Sequence, residues 1–319
     1  MDKLYVVGID IGGQTSKIGI VDARGTVLTQ SSIRTDKYSD VNLYIDELCD
    51  AILKLVSTTG GIDKIRGIGI GAPNGNYYTG TIENAVNLVW GGPNAIPFAK
   101  LMKDKIGIPV ALTNDANAAA VGEMTYGAAR GMKNFIMITL GTGVGSGIVI
   151  NGDVVYGHDG FAGELGHTTS VRYNGRLCNC GRVGCLETYA SAIGVARTAR
   201  EWLEMTSEPS TLRSLAEQIT SKDVYEAAAN GDQLAINVFE YTGKKLGEAF
   251  ADFVAFSSPE AIVLFGGLAR SGDILLKPIE EHMNANLLPL WKNKVKIIFS
   301  QLKESDAAIL GASALGWEL

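Results

Sequence analysis

Three cysteines and one histidine stand close together near the middle of the chain, in a pattern that suits a metal ion. Cys178, Cys180 and Cys185 fall within eight residues, and His167 lies just upstream. Thiolates and imidazole are ligands that Zn²⁺ prefers, with metal–sulfur distances of about 2.3 Å, and four protein ligands leave no position for water. The spacing therefore predicts a structural zinc site. A loop of reduced cysteines, or one strained disulfide, is the alternative.

Two glutamates flank these ligands at either end. Glu164 stands three residues before His167, and Glu187 stands two residues after Cys185. Carboxylates and imidazoles accept hydrogen bonds strongly and can fix the orientation of vicinal hydroxyls. A metal loop that holds two carboxylates beside a histidine therefore indicates a polar ligand site. The cysteine spacing is not that of a zinc finger, so nucleic-acid binding does not follow from it.

The paired motifs Glu-Leu-Gly-His (164–167) and Cys-x-Cys-Gly-x-x-Gly-Cys-Leu-Glu (178–187) resemble those of the ROK family of bacterial sugar kinases and repressors. The resemblance extends from Asp10 to the helical segment 307–311. It implies an α/β, two-lobed, actin-like (ribonuclease-H-like) ATPase fold with duplicated lobes and a structural zinc loop. It also implies an enzyme that uses ATP, with Mg²⁺, to phosphorylate the 6-hydroxyl of glucose or a close relative.

Composition narrows the class of protein. The 319 residues are 46% apolar, enough for two domains with cores, and the net charge is −6 without any run of Lys and Arg. An acidic balance argues against a nucleic-acid binder, which needs a basic footprint. Residues 134–151 lack internal charge, but their glycines and the Asn151-Gly152 turn favour two strands over a membrane helix. Few, clustered cysteines and an N-terminal run interrupted by Asp10 favour the cytoplasm.

A strand, glycine-turn, strand, hairpin pattern occurs twice. An offset of 129 residues places Asp10 on Thr139, Gly12 on Gly141 and Ile20 on Val149, which predicts a duplicated unit. The strands predicted for the two copies are Leu4–Ile9, Lys17–Val21 and Val27–Ile33, and Phe135–Leu140, Ile148–Ile150 and Val154–Tyr156. Further strands are predicted at 66–71, 110–113, 262–265 and 295–299. Helices are predicted at 40–56, 97–106, 116–126, 268–286 and 306–317, with a largely helical stretch over 189–256.

The glycine turns of both copies are candidate phosphate-binding sites, because such turns expose backbone N–H groups. No Gly-x4-Gly-Lys-Ser/Thr motif is present, and the second turn precedes a strand, which disfavours a dinucleotide fold. Taken singly, each could be an ordinary tight turn. The candidate nucleotide-binding residues, with Gly266 and Gly267 added as the family's adenosine segment, are Asp10, Gly12, Gly13, Gln14, Thr15, Lys17, Gly141, Thr142, Gly143, Gly145, Gly266 and Gly267.

Asp10 would hold the Mg²⁺ of ATP through water, since Mg²⁺ keeps most of its hydration shell. An Asp that is satisfied by turn amides is the alternative. The family's signature ends in Asp-Ile-Gly-Gly-Thr, whereas this chain has Gln14 at the last position. An amide can still donate to a phosphate oxygen.

Asp115 is the candidate catalytic base. It follows the end of a predicted strand and precedes a helix, where open α/β sheets place ligands. The resemblance assigns Asn-Asp-Ala-Asn-Ala-Ala-Ala, from residue 114, to the catalytic segment, so that Asp115 accepts the proton of the sugar hydroxyl. Capping of the helix by Asn114 or Asp115 is the alternative.

A sugar pocket is expected around these residues. His167 could bind zinc through one ring nitrogen and sugar through the other. The alternatives are surface glutamates, a purely structural histidine and ordinary turn asparagines. The candidate substrate-binding residues are Asn76, Asn87, Asn114, Asp115, Glu164, His167 and Glu187.

The resemblance further implies lobes at 1–113 plus 302–319 and at 114–301, and a homodimer. Two rival functions remain open. A repressor of this family carries a DNA-binding segment before the first phosphate strand, whereas nine residues precede Asp10 here. The other is a non-catalytic sugar-binding or structural actin-like protein, and the presence of Asp115, Glu164, His167 and both glycine turns argues against it. The sequence leaves the sugar open among glucose, mannose, fructose, N-acetylglucosamine and N-acetylmannosamine.

Overall fold

The computed structural model describes residues 3–319, without the side chains of residues 216, 304 and 305. The first half of the chain builds a five-stranded sheet and a small ribbon. β-Branched runs form its buried strands, because branched side chains pack well on a pleated surface. The strands are β1 (Tyr5–Ile11), β2 (Thr15–Asp22), β3 (Val27–Arg34), β4 (Ile65–Gly71), β5 (Gly75–Asn76), β6 (Thr81–Ile82) and β7 (Val110–Thr113). The sheet order is β3-β2-β1-β4-β7, and β5 pairs with β6.

The second half of the chain builds a sheet of the same design. Its strands are β8 (Phe135–Leu140), β9 (Val144–Ile150), β10 (Asp153–Val154), β11 (Ala261–Phe265) and β12 (Lys296–Phe299), in the order β10-β9-β8-β11-β12. In both sheets the first two pairings are antiparallel and the next two are parallel. The predicted duplication is therefore present, with the Asn151-Gly152 turn as expected.

The register of the second copy differs by one residue from the prediction. Ile11 pairs with Ser16 across four turn residues, whereas Leu140 pairs with Val144 across three. The offset is thus 129 on the first strand of each hairpin and 128 on the second. Ile20 consequently corresponds to Ile148, and the predicted match to Val149 was wrong.

The helices cover the sheets and lie between them. They are α1 (Val41–Ser57), α2 (Phe98–Ile106), α3 (Asp115–Tyr126), α4 (Glu187–Ala190), α5 (Ala192–Met205), α6 (Ser221–Ala229), α7 (Gln233–Ser257), α8 (Asp273–Asn286) and α9 (Glu304–Gly316). The helix predicted over 268–286 is instead a 3₁₀ turn, Gly267–Ser271, followed by α8. Gly272 at φ 55° separates the two. The sequence predicts a break in the 189–256 stretch at Ser207–Ser210, and the interruption is longer, since α5 ends at Met205 and α6 begins at Ser221.

Each sheet has its own apolar core. Ile9, Ile18 and Leu48 belong to the first, with α1 and α2, and Ile138, Phe250 and Ile279 belong to the second, with α5 to α8. Helix α9 packs on β1 and β4 of the first sheet and also on α3. The crossing of α3 and α9 is close, since a Cβ on Gly122 would lie 2.6 Å from Cα of Gly311.

Across residues 3–319, no helix combines the length and the apolar character that a bilayer crossing requires.

Candidate active site

Two glycine turns, one from each sheet, are closed by internal backbone hydrogen bonds and remain the candidate phosphate-binding segments. In the first, the N–H of Gly12 donates to the carbonyl of Thr15 (3.1 Å), and in the second that of Gly141 donates to Gly143 (3.1 Å). The side chains at the tips of both turns, among them Gln14, Thr15 and Thr142, are exposed. Such turns present backbone N–H groups to an anion without a helix or a lysine.

Gly266 supports the second turn from behind. It has φ 103°, and a Cβ there would lie 2.6 Å from the carbonyl oxygen of Leu140. Only a glycine therefore allows the end of β11 to pack directly behind the Gly141 turn. Gly266 thus adjoins the second turn through Leu140, and Gly267 beside it faces open space. The resemblance expects the nucleotide here.

Asp10 lies at the end of β1 beside the first turn. Burial raises its pKa to about 6, and the nearby Asp115 carboxylate adds to the rise while Lys17 opposes it. Asp10 and Asp115 line one cavity of about 170 Å³, together with Thr139 from the second sheet. A pair of carboxylates in a half-buried cleft is a favourable environment for a divalent cation.

Removal of the Asp10 charge has a pH-dependent effect that we expect to measure. Since the folded pKa of about 6 exceeds the ordinary 3.8, the folded protein binds more protons than the unfolded chain between these values. Asp10 therefore stabilises the fold less as pH rises from about 4 to 6. The quantity to compare is the free energy of unfolding of Asp10→Asn minus that of wild type. We expect this difference to be roughly 1–3 kcal/mol larger at pH 7 than at pH 4. Urea titrations without Mg²⁺ at both pH values test this, and an equal difference at both would contradict it.

Asp115 occupies the first turn of α3, directly after β7. Asn114 caps this helix, since its Oδ1 accepts hydrogen bonds from the N–H groups of Ala116 (2.8 Å) and Asn117 (3.0 Å). Asn114 is thus the cap of the helix, and its amide nitrogen remains available to a ligand, while the N–H of Ala116 also donates to Oδ1 of Asp115 (2.8 Å). The Asp115 side chain is solvent-accessible in the cleft, yet the surrounding protein raises its pKa. A carboxylate in this state is a better proton acceptor than one in water.

Glu164, His167 and Glu187 form the opposite wall. Burial raises the pKa of Glu164, His167 lowers it, and the charges of Asp115 and Glu187 raise it further, so these carboxylates influence one another. Oε2 of Glu187 accepts from the N–H of Val144 (3.4 Å), and a Cβ on Gly143 would lie 2.7 Å from that oxygen. Glu187 therefore touches the second glycine turn and connects the two parts of the site.

The cysteine and histidine side chains converge on one point. Their four ligand atoms all lie within 4.8 Å of one another, in His167, Cys178, Cys180 and Cys185. Cys180 Sγ and Cys185 Sγ are 3.7 Å apart, and Cys178 Sγ is 3.7 Å from Nδ1 of His167. Tetrahedral zinc with 2.3 Å bonds requires sulfurs roughly 3.8 Å apart, so the set fits that ion. All four cysteines of the described chain are free in this structure, and none is joined in a disulfide.

Asn76 and Asn87 differ in their surroundings. Asn76 is buried, its Nδ2 donates to the carbonyl of Asp159 (2.7 Å) and to Glu83 (3.3 Å), and its Oδ1 accepts from the N–H groups of Tyr78 and Thr79. Its hydrogen-bonding groups are engaged within the protein, as in the turn alternative. Asn87 is exposed, and its backbone lies against Gly13 of the first turn.

Two supporting residues were not identified from the sequence. The Ser146 hydroxyl donates to the carbonyl of Gly163 and accepts from the N–H of Leu165 (3.0 Å), which fixes the loop that carries Glu164. Arg176 is buried beside the cysteines. Neither residue belongs to a recognisable motif, and Arg176 is one of three arginines in this segment, with Arg172 and Arg182, so the sequence does not single it out.

Arg176 holds the cysteine loop to α4 and α5. Its guanidinium donates to the carbonyl of Thr188 (2.7 Å), to Thr198 Oγ1 (2.9 Å) and to Glu201 (2.5 Å). The same group lies over the ring of Tyr189, 4.6 Å from its centroid. Because α4 begins at Glu187, Arg176 fixes the start of the helix that carries this carboxylate.

We expect Arg176→Met to lower the free energy of unfolding by about 2–4 kcal/mol, because buried acceptors lose their donors. Arg197→Met is the matched control, since Arg197 pairs with the same Glu201 but is partly exposed. It should change the free energy by about 1 kcal/mol or less. Urea unfolding measures both, and equal losses would show that the buried contacts of Arg176 add nothing.

Comparisons with known proteins agree with this geometry. The model of the ROK family matches residues 6–318. The chain is 39% identical over 324 residues to a glucokinase of Halalkalibacterium halodurans, covering 99% of this chain and 95% of that protein. A ROK family glucokinase from Streptomyces griseus, solved in complex with glucose and AMPPNP, has a TM-score of 0.79 at 32% identity, covering 99% of this chain and 100% of the other.

A solved ROK family transcriptional regulator is also similar, with a TM-score of 0.86 at 28% identity, covering 99% of this chain and 78% of the regulator. The fold is therefore shared by sugar kinases and regulators, and the fold alone does not separate these two activities. With a family match over nearly its whole length, the protein belongs to the ROK family.

Proposed function

We propose that this protein transfers phosphate from ATP to the 6-hydroxyl of a hexose, with glucose as the preferred sugar. The observation that carries the proposal is the position of Asp115, which lies in the cleft between Asp10 and the Glu164 wall. The full-length similarity to glucokinases, one of them solved with glucose and a nucleotide analogue, supports the choice of sugar and donor.

In this mechanism Asp115 accepts the proton of the attacking hydroxyl. The residues proposed to hold the sugar around it are Asn87, Asn114, Glu164, His167 and Glu187. Asn76 is left out, because its amide is hydrogen-bonded within the protein. The triphosphate would lie between the Gly12–Thr15 and Gly141–Gly145 turns. Asp10 would hold Mg²⁺, which neutralises charge on the transferring phosphate when bound.

We further propose that His167, Cys178, Cys180 and Cys185 bind a structural zinc ion. Nδ1 of His167 faces Cys178, so its Nε2 is left for a sugar hydroxyl. Zinc would take no chemical part, but it would hold Glu164 and Glu187 in place.

The proposed lobes are 1–113 plus 302–319 and 114–301, with the cleft between the two sheets. The packing of α9 on the first sheet supports these bounds. Closure of the lobes would exclude water and favour sugar over hydrolysis. A cytoplasmic homodimer that binds no nucleic acid is the state we expect, in keeping with the family and the net charge of −6.

The alternative function is a sugar-responsive regulator without turnover. The similarity to a solved regulator supports this alternative. ADP release, measured with ATP, Mg²⁺ and equal concentrations of glucose, mannose, fructose, N-acetylglucosamine and N-acetylmannosamine, separates the two. We expect the highest kcat/KM with glucose. ADP release that no sugar stimulates would support the regulator, and a higher kcat/KM with another sugar would change the assigned substrate.

A further inference from the structure

A buried group of hydroxyls lies directly behind the first glycine turn. The Ser16 hydroxyl is 2.6 Å from the Tyr44 hydroxyl and 2.6 Å from that of Thr35, and none of the three residues has exposed surface. Ser16 follows Thr15 in the chain, and the N–H of Thr35 donates to the carbonyl of Gln14 (2.9 Å). The end of the turn is therefore attached to α1 through Tyr44.

The other end of Tyr44 contacts the segment that carries Asn87. The ring of Trp90 stacks on that of Tyr44, with centroids 4.9 Å apart and planes at 23°, and it also stacks on Phe98 at 5.6 Å. Trp90 is 5% exposed, so this contact is part of the core. Stacked aromatic pairs of this kind hold their geometry better than aliphatic contacts do.

The Asn87 segment and the first turn also touch directly. A Cβ on Gly13 would lie 2.9 Å from the carbonyl oxygen of Asn87. The segment 87–90 thus meets the turn twice, once at its tip and once through Tyr44 at its base. Movement of either segment must displace the other or break a buried contact, because packed cores do not deform freely.

We propose that Tyr44 is a positioning residue that couples hexose binding at segment 87–90 to nucleotide binding at the Gly12–Ser16 turn. The inference rests on the proposed function for the identity of the two ligands. A ligand that orders one segment also orders the other through their shared attachment, so the second ligand loses less conformational entropy on binding. Each ligand should therefore raise the affinity for the other by the same factor.

The two ends of Tyr44 can be separated experimentally. The ring of Tyr44 packs on Trp90, whereas only its hydroxyl bonds Ser16. The bond between Ser16 and Thr35 does not involve Tyr44. Burial raises the pKa of Tyr44, so the hydroxyl stays protonated at physiological pH and remains a hydrogen-bonding group. Tyr44→Phe keeps the stack and removes only the connection to the turn.

The experiment measures glucose affinity by calorimetry with and without saturating AMPPNP and Mg²⁺. In wild type we expect AMPPNP to tighten glucose binding by about 5–150-fold, the usual range of such coupling. In Tyr44→Phe the factor should fall to about twofold or less, with each single-ligand affinity within about fivefold of wild type. Tyr5→Phe, on β1 of the first sheet, is the matched control and should keep the wild-type factor.

Ser16→Ala breaks the same connection from its other end and should give the same loss. It also provides the test if Tyr44→Phe does not fold. The inference is wrong if wild type shows no coupling, or if the folded variants keep the wild-type factor. A purely structural role of Tyr44 predicts that glucose and AMPPNP each bind more weakly while the coupling factor between them is unchanged. That result would also overturn the inference.

The failure of this inference can be distinguished from the failure of the proposed function. Coupling is measured by binding alone, whereas the proposed function is measured by sugar-dependent ADP release in wild type. Normal turnover with unchanged coupling in Tyr44→Phe would remove only the role of Tyr44. Absence of turnover in wild type would remove the kinase assignment, whatever the variants show.

Discussion

Replacement of Asp115 by Asn is expected to lower kcat by about 10²–10⁴-fold, the contribution of a positioned general base. An amide cannot accept the hydroxyl proton. Desolvation in the cleft raises the pKa of Asp115, which brings it closer to the pKa of an efficient general base. Glucose affinity should change little, because the shape of the site is kept. Asn114 provides the helix cap, so α3 should still begin at the same residue.

ADP release measures kcat, and calorimetry measures glucose binding. Asp153→Asn, an exposed substitution on β10, is the control and should leave both unchanged. A second readout is electrostatic, since the Asp115 charge contributes to the raised pKa of Asp10. NMR titration should therefore find a lower pKa for Asp10 in Asp115→Asn. A variant that retains more than about a tenth of wild-type kcat would show that Asp115 is not the base.

Replacement of Cys180 by Ser should weaken both zinc binding and glucose binding. Cys180 is the exposed member of the cluster, so this change removes a ligand with little loss of packing. A site with three ligands holds the metal less tightly, and a loop that folds with the metal should loosen. We expect glucose affinity to fall by about 10–100-fold, the range found when the support of a metal site is lost.

Cys49→Ser is the matched control for this variant. Cys49 is buried on α1 beside Met102, with 3.8 Å between the sulfurs, so its replacement affects packing but no ligand. Its zinc content, measured by elemental analysis, should equal that of wild type at one ion per chain. Treatment of wild type with a chelator should reproduce the Cys180→Ser loss of glucose affinity. Equal glucose affinity in metal-free and metal-bound wild type would refute the supporting role of the metal.

The parts of the site that could be predicted from sequence are those encoded by local spacing. The cluster of His167 with three cysteines converges because the loop between them is short and rich in glycine. The Asp115 position at a junction between β7 and α3 was also predictable, because strand and helix patterns both end there. Such patterns can be recognised before the fold is known, since they lie within one short segment of the chain.

Other predictions were limited because they depend on distant contacts. The match of Ile20 to Val149 was wrong by one residue, because the second turn is one residue shorter and register follows turn length. The choice between the capping and ligand roles of Asn114, and the engagement of Asn76 with Asp159, depend on atoms far away in the chain or on backbone angles. Residue preferences allow either Asn114 or Asp115 as the cap, and they contain no information about the contact of Asn76 with Asp159.

The sequence by itself determined the duplicated strand pattern, the cluster of His167 with three cysteines, both glycine turns and the acidic residues that face the cleft. Only the tertiary structure decided that Arg176 holds the cysteine loop, that Ser146 fixes the loop of Glu164, and that Tyr44 contacts both Ser16 and Trp90. The physical reason is that residue type and spacing carry local geometry and chemistry. Hydrogen bonds between residues 17 or more positions apart exist only once packing has brought their elements together.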